Sequence, residues 1–257
     1  MGYDWTQKVV LITGASSGIG RALALELGRR GARLGLTARR VEELLRLCEE
    51  VERAGGEALA LPADVRDAAA MQGVAERVRE RWGRVDVLVA NAGMSSTTAG
   101  TRLNASEVGN VITINVLGVV NSVVAVLPAM LERRAGHLVA ISSLASYRGM
   151  PKSGAYSASK AAVSTLFESL RVDLRKSNID VTTIHPGFIR TPMTAGRKKK
   201  LPFLLEPDDA ARRIVRAIER RVRTYAFPWQ LASLVRVIRH LPGAVYDRLA
   251  SNSNFRE

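Results

Sequence analysis

The stretch Val9-Val10-Leu11-Ile12-Thr13-Gly14-Ala15-Ser16-Ser17-Gly18-Ile19-Gly20 decides the fold. Its first four residues form an apolar run typical of a buried strand, and a helical stretch, Arg21 to Arg30, follows its last glycine. Glycines permit a tight turn and let the backbone approach a pyrophosphate, while the free amides of a helix N-terminus favour an anion. Taken alone, the stretch could also be an ordinary helix start.

Strand and helix patterns alternate along the 257 residues, which is typical of a parallel sheet covered on both faces. We predict an α/β fold with a Rossmann-like, doubly wound, parallel seven-stranded sheet and helices on both faces. A ligand should lie beyond the carboxyl ends of the strands, where strand order reverses. The strand candidates are Val9–Thr13, Arg33–Thr37, Glu57–Leu61, Val85–Ala90, His137–Ser142, Asp180–His185 and Arg223–Phe227.

A tyrosine and a lysine, Tyr156 and Lys160, lie four residues apart and therefore on one face of a predicted helix. A phenol has a free pKa of about 10, and it exchanges protons at neutral pH only when a nearby cation stabilises the phenolate. Ser143 ends a strand candidate and offers a hydroxyl that could hold a carbonyl oxygen. The three residues together indicate carbonyl chemistry, although an isolated Tyr/Lys pair is usually a helix-surface contact.

The chain resembles the short-chain dehydrogenase/reductase family through motifs that span nearly its whole length in the family's order. These motifs are the TGxxxGIG loop (Thr13 to Gly20), Asn91-Ala92-Gly93, Asn115, Ser143, Tyr156, Lys160 and Pro186-Gly187. The resemblance implies an oxidoreductase that transfers hydride between NADP(H) and a carbonyl or secondary alcohol. It is specific for the family and leaves the substrate open.

The resemblance implies a catalytic set of Asn115, Ser143, Tyr156 and Lys160. Tyr156 would donate a proton to the carbonyl oxygen, Ser143 would hydrogen-bond that oxygen, and Lys160 would stabilise the phenolate and grip the nicotinamide ribose. Asn115 would position a water that returns the proton, although an asparagine can also satisfy the free carbonyls of a kinked helix. Ser142 is the alternative serine, but its interval to Tyr156 fits less well. No metal site is expected.

The cofactor contacts implied by the resemblance come from five loops besides the catalytic helix. Asp64 and Val65 resemble the adenine-binding pair, Asn91 is as easily a sheet-stabilising residue, and Ile189 and Thr191 belong to a PGxxxT pattern that holds the carboxamide. The full set is Gly14, Ser16, Ser17, Gly18, Ile19, Gly20, Arg39, Asp64, Val65, Asn91, Ala92, Gly93, Tyr156, Lys160, Pro186, Gly187, Ile189 and Thr191.

Cofactor choice depends on the end of the second strand. Ala38 occupies the position where NAD users of the family carry aspartate, and Arg39 follows it. A guanidinium matches a phosphate in charge and geometry, so NADP(H) is favoured over NAD(H). Alternatively, Arg39 and Arg40 form the solvated start of a helix and pair with its glutamates.

No linker, repeat or low-complexity tract divides the chain, so we predict one dinucleotide-binding and catalytic domain over residues 1–257. Residues 194–222 should form a substrate flap and the helix after it. Residues 228–257 should form a helical extension, with an amphipathic helix from Trp229 to Leu241. That helix could dock on the core, join a partner subunit or lie at a membrane interface, and core docking or dimerisation is favoured over membrane contact.

Positive charge is concentrated in the last quarter of the chain. The formal net charge is +14, and residues 197–257 contain 14 Lys/Arg against 6 Asp/Glu. The basic run Arg197 to Lys200 could serve an acyl substrate with an acidic head or a membrane surface, or it could be a solvated lid. Nucleic acid is not expected as a partner, because no reading motif accompanies the charge.

Cysteine content and the N-terminus favour a cytoplasmic protein. Cys48 is the single cysteine, and residues 1–8 carry no signal sequence. The apolar stretch Val116–Leu131 is too short to span a bilayer and contains Asn121 and Pro128, so we expect a buried or dimer-forming helix.

The sequence favours an NADP(H)-dependent reductase of a small-molecule, hydrophobic ketone or acyl-type substrate, acting as a homodimer or homotetramer. Candidate pocket residues are mostly apolar and include Leu144, Met150, Phe188 and Met193. Two alternatives remain: a membrane-peripheral lipid ketone reductase, and a non-catalytic regulatory protein that senses NADPH.

Overall fold

The protein folds around one parallel sheet of seven strands, as the sequence predicts. The computed structural model describes residues 3–195 and 201–251. The sheet order is β3-β2-β1-β4-β5-β6-β7, so strand order reverses between β1 and β4. The strands are β1 (Val9–Thr13), β2 (Arg33–Ala38), β3 (Glu57–Pro62), β4 (Val87–Ala90), β5 (Gly136–Ile141), β6 (Ile179–Pro186) and β7 (Thr224–Phe227).

Helices cover both faces of the sheet and enclose two apolar cores. One core joins α1, α2 and α7 to the sheet, and the other joins α3, α5 and α6. The helices are α1 (Gly18–Gly28), α2 (Val41–Arg53), α3 (Ala68–Trp82), α4 (Ala105–Ile112), α5 (Gly118–Arg133), α6 (Gly154–Asp173), α7 (Pro207–Glu219), α8 (Trp229–Arg239) and α9 (Gly243–Ser251). The strands read as continuous apolar runs because both faces of the sheet are buried.

A π-helical turn, Thr113–Leu117, joins α4 and α5 into one long helix. Among the described residues, this helix, Ala105–Arg133, alone has the length and apolar composition that a membrane crossing requires. Its side chains Val119, Val123 and Met130 are buried in the core with α3 and α6. We therefore assign it as a core helix, because buried helices of globular proteins have the same composition.

The chain continues past the last strand into two helices that pack near the carboxyl edge of the sheet. Leu231 and Ala232 of α8 are buried against Leu144, which follows β5. The first of these helices matches the predicted stretch from Trp229, and α9 adds a second, shorter one. The predicted segment 194–222 contains α7, while the basic run Arg197 to Lys200 lies outside the described residues.

Candidate functional site

A cleft of about 940 Å³ opens at the carboxyl edge of the sheet, where strand order reverses. This is the position at which open α/β sheets bind their ligands. All of the predicted site residues line it except Gly20 and Asn115. Those that do are Gly14, Ser16, Ser17, Gly18, Ile19, Arg39, Asp64, Val65, Asn91, Ala92, Gly93, Ser143, Tyr156, Lys160, Pro186, Gly187, Ile189 and Thr191.

The glycine loop between β1 and α1 is shaped so that side chains are excluded. Gly14 and Gly18 have φ angles of +66° and +57°, which glycine adopts without strain. A Cβ at Gly14 would lie 2.7 Å from the Ala92 Cα, and one at Gly20 would lie 2.5 Å from the Gly14 carbonyl oxygen. The loop therefore presents bare backbone at the N-terminus of α1, which fits the pyrophosphate of a dinucleotide.

Asn91 braces this loop from the end of β4. Its Nδ2 donates to the carbonyl oxygens of Thr13 (2.9 Å) and Gly14 (3.2 Å), and its backbone N–H donates to the Thr13 hydroxyl (3.0 Å). These contacts agree with the interpretation of Asn91 as a residue that ties neighbouring strands together. Gly20 has a related role, because its missing Cβ leaves room for the Asn91 amide (2.6 Å).

Tyr156 and Lys160 lie on the first turns of α6 and face the cleft. The Lys160 ammonium donates to the Ile141 carbonyl oxygen (2.7 Å) and lies 5.9 Å from the centre of the Tyr156 ring. Burial lowers the pKa of Lys160 from its ordinary 10.5 to about 8, because water is removed from its charge. The lysine thus places a desolvated cation beside a phenol.

The loop after β5 carries Ser143, whose hydroxyl accepts a hydrogen bond from the Ala145 N–H (3.1 Å) at the cleft wall. The neighbouring Ser142 is buried, and its hydroxyl bonds the Lys160 carbonyl oxygen (3.0 Å) and the Ser164 hydroxyl (2.7 Å). Both serines border the cleft, but the Ser142 hydroxyl is engaged in anchoring the strand end to α6.

Ser146 and His185 hold the backbone of Ser143 through hydrogen bonds to its carbonyl oxygen. The Ser146 hydroxyl donates to the Ser143 carbonyl oxygen (2.7 Å), and His185 Nδ1 lies 3.1 Å from that hydroxyl and 3.3 Å from the same carbonyl oxygen. Because the Ser146 hydroxyl donates its proton to the Ser143 carbonyl oxygen, His185 Nδ1 is the donor in the hydrogen bond between His185 and Ser146. Burial lowers the pKa of His185 to about 4, so the imidazole is neutral. His185 therefore helps to hold the backbone of Ser143 in place.

Asn115 lies in the π-helical turn and is fully buried. Its Oδ1 accepts from the Met94 N–H (2.7 Å), and its Nδ2 donates to the Met94 carbonyl oxygen (2.9 Å) and the Ser159 hydroxyl (2.9 Å). Ser159 in turn donates to the Tyr156 carbonyl oxygen (2.8 Å). Asn115 does not touch the cleft itself; it links the Met94 loop to the helix of Tyr156.

The end of β2 places two guanidinium groups at the cleft. Arg39 lies near Asp64, whose pKa is lowered mainly by hydrogen bonds from Arg66 and also by the charge of Arg39. Arg40 reaches the glycine loop, where it donates to the Ser16 hydroxyl (3.0 Å) and carbonyl oxygen (3.3 Å). The sequence interpretation chose Arg39, because Ala38 replaces the aspartate of NAD users and Arg39 follows it, and it assigned no cofactor contact to Arg40. Its position next to Arg39 is the only sequence signal for Arg40.

The segment after β6 closes the opposite side of the cleft. A Cβ at Gly18 would lie 3.1 Å from the Thr191 side chain, so Thr191 lies directly over the glycine loop. Ile189 and Leu205 form an isolated parallel bridge, which brings the two parts of the chain around these residues together. The Gly187 N–H donates to the Phe227 carbonyl oxygen (2.7 Å), which fixes this segment to β7.

The fold and the glycine loop define a dinucleotide-binding α/β protein, and comparison with known proteins identifies its family. A family model described as short chain dehydrogenase matches residues 8–202. The chain belongs to the short-chain dehydrogenase/reductase family, and it is therefore an NAD(P)-dependent oxidoreductase.

Relatives and solved structures resemble most of the chain. An uncharacterized oxidoreductase of Myxococcus xanthus is 43% identical over 250 residues, which are 96% of this chain and 98% of the relative. A short-chain dehydrogenase/reductase of Burkholderia phymatum in complex with NAD is 27% identical, with a TM-score of 0.84 over 98% of this chain and 97% of that one. An alcohol dehydrogenase of Thermococcus sibiricus, complexed with 5-hydroxy-NADP, is 30% identical, with a TM-score of 0.78 over 86% and 94%.

Proposed function

We propose that the protein reduces a hydrophobic ketone, or oxidises the matching secondary alcohol, with NADP(H) as cofactor. The observation that carries this proposal is the convergence of Ser143, Tyr156 and buried Lys160 on one cleft with the glycine loop. When bound, the nicotinamide supplies the hydride that adds to the carbonyl carbon. Tyr156 gives its phenolic proton to the carbonyl oxygen, and Ser143 donates a hydrogen bond to the same oxygen.

Lys160 stabilises the phenolate that remains after proton transfer. A cation in a desolvated site interacts strongly with a neighbouring anion, because little water screens the charge. Asn115 acts as a positioning residue through Ser159, which is bonded to the backbone of Tyr156. By resemblance to the family, a water held near Asn115 and its π-helical turn would return the proton from solvent.

The preference for NADP(H) is supported by the charge at the end of β2. The phosphate of NADP would meet Arg39 and Arg40, and no carboxylate at position 38 would repel it. The relatives leave this choice open, since one solved structure is described with NAD and another with 5-hydroxy-NADP.

The decisive test is Tyr156→Phe, which removes one hydroxyl and keeps the ring. NADPH binding, followed by nucleotide fluorescence, should be unchanged, whereas reduction of ketones should fall by about three orders of magnitude or more. Tyr225→Phe is the matched control, because that ring stacks on Phe227 in the core. Undiminished turnover in the Tyr156 variant would refute the proposed mechanism.

A second candidate is a membrane-peripheral reductase of lipid ketones. The C-terminal helices expose Trp229 (71%) and Val237 (64%) beside Arg236 and Arg239, a combination that suits an anionic lipid surface. Flotation with phosphatidylserine vesicles at low and high salt would detect it, and Trp229→Gln should then weaken binding. The third possibility, a regulatory NADPH sensor, is disfavoured because it would not need the complete catalytic set.

We also propose a cytoplasmic homodimer or homotetramer. Leu117, Val124 and Leu131 recur every seven residues along the continuous helix Ala105–Arg133 and are 50%, 51% and 39% exposed. Apolar side chains at this spacing form a stripe that a second copy could cover. Light scattering of the purified protein would give the mass, and Val124→Glu should convert the oligomer into monomers.

A further inference from the structure

The two C-terminal helices form one wall of the cleft, beyond the catalytic side chains. Together with Tyr246, they contribute hydrocarbon side chains to the lining: Leu231, Leu234, Val235, Ile238, Leu241 and Leu249. Leu234 and Leu249 are 53% and 60% exposed, so apolar surface faces the open cleft. Removing such surface from water favours a ligand with an apolar group of matching length.

Arg148 holds this wall against the rest of the protein. One of its guanidinium nitrogens donates to the backbone carbonyl oxygens of Ile238 (2.8 Å), Arg239 (3.1 Å) and Leu241 (2.8 Å). The first two carbonyls end α8 and the third belongs to the turn that follows it, and a cation at this end is favoured by the helix dipole and by charge-assisted hydrogen bonding. The guanidinium carbon also lies 4.0 Å from the centre of the Tyr246 ring on α9.

The same loop connects the wall to the catalytic serine. Arg148 follows Ser143 by five residues, and Tyr246 donates a hydrogen bond to the carbonyl oxygen of Gly149. Between them, Leu144 packs with Leu231 in a small buried cluster. The position of the apolar wall relative to the Ser143 hydroxyl therefore depends on contacts made by this one loop.

We propose that Arg148 is a positioning residue that fixes the wall formed by α8 and α9, and that this wall selects ketones carrying an extended apolar chain. The proposal rests on the proposed function for its reaction, and it adds the substrate class and the residue that sets it. Arg148 also borders the cleft, but one of its guanidinium nitrogens is engaged by three backbone carbonyls and its guanidinium packs on the Tyr246 ring, so we assign it a positioning role rather than substrate binding.

The test compares Arg148→Met with two further variants. Arg248→Met is the matched control, because it removes the same charge from an exposed position on α9. Tyr246→Phe removes only the hydroxyl bond to Gly149, and it provides a milder perturbation should Arg148→Met unfold. Each protein is assayed with NADPH and two methyl ketones, 2-butanone and 2-undecanone, and amide hydrogen exchange is followed in residues 229–251.

We expect Arg148→Met to lower the ratio of kcat/KM for 2-undecanone over 2-butanone by about tenfold, which corresponds to about 1.4 kcal/mol of lost chain binding. Exchange in residues 229–251 should accelerate, Tyr246→Phe should show both effects to a smaller degree, and Arg248→Met should show neither. Unchanged exchange would overturn the role of Arg148, and faster exchange with an unchanged ratio would overturn the role of the wall.

Failure of the proposed reaction would be distinguishable from failure of this inference. If the wild-type protein reduces neither ketone, the proposed function is wrong. Binding of 2-undecanone, followed by saturation-transfer NMR in the presence of NADP⁺, still reports on the wall. Binding that weakens in Arg148→Met and persists in Arg248→Met would support it, and equal binding by all three proteins would overturn it.

Discussion

Replacing Lys160 by methionine should make the protein more stable while it destroys activity. Burial lowers the pKa of this lysine from 10.5 to about 8. Each pH unit is worth about 1.4 kcal/mol, so the buried charge costs roughly 3 kcal/mol of folding free energy at pH 7. Methionine has similar length and no charge, but it leaves the Ile141 carbonyl oxygen without its 2.7 Å partner, at a cost of about 1–2 kcal/mol. The net gain expected is about 1–2 kcal/mol.

The stability that Lys160→Met gains over the wild type should decrease as pH rises. Below pH 8 the folded and unfolded chains both hold the lysine proton, and the cost of burying the charge is present in full. As pH rises from about 8 to 10.5, the folded protein has released the proton and the cost fades. The advantage of the methionine variant should therefore be largest at neutral pH and should shrink towards pH 10.

Urea unfolding without cofactor, at pH 7 and pH 9.5, measures this directly. Lys176→Met is the control, because that side chain is exposed and its replacement should give no pH-dependent gain. A Lys160 variant that is less stable than the wild type at pH 7, or whose gain is the same at both pH values, would refute the reasoning.

Four other variants test the cofactor choice, the glycine loop, a helix glycine and a buried histidine. Ala38→Asp with Arg39→Ala should lower the ratio of kcat/KM for NADPH over NADH by about tenfold or more, and an unchanged ratio would contradict the assignment. Gly20→Ala places a Cβ 2.5 Å from a backbone carbonyl and should cost about 1–3 kcal/mol in urea unfolding and weaken NADPH binding. Gly73→Ala, with nothing within 4 Å, should instead stabilise α3 by about 1 kcal/mol. Burial lowers the pKa of His137 from 6.5 to about 4, so stability should fall as pH drops through that range, and His137→Gln should reduce the fall by up to about 3 kcal/mol.

The sheet could be predicted from the sequence because its signals are local. Apolar runs and glycine turns identify each strand, and the observed strand ends lie within two residues of the predicted ones. The largest difference is at β4, which begins at Val87 rather than Val85. Helix and strand ends are set by hydrogen bonds to neighbouring elements, which periodicity alone does not describe.

Contacts across long sequence distances could not be predicted in this way. Arg148 bonds carbonyls about 90 residues further along the chain, and no local pattern distinguishes it from a solvated arginine. Arg40 likewise reaches Ser16, 24 residues earlier, only because the sheet brings the ends of β1 and β2 together. The role of Asn115 came from the family resemblance alone, whereas that of Ser143 was also indicated by its position at a strand end; both remain predictions until their variants are assayed.

The residues proposed for the reaction and those proposed for substrate selection lie in different parts of the chain, which affects how relatives of this protein can diverge. The glycine loop and the proposed catalytic side chains lie between Gly14 and Lys160, whereas α8 and α9 begin only after the last strand, at Trp229. Replacing the residues after the last strand could therefore change which substrates fit, while the residues proposed to carry the reaction stay the same. Position 148 would constrain such exchanges. A new C-terminal segment must either offer backbone carbonyls to Arg148 or make other contacts that hold it on the core.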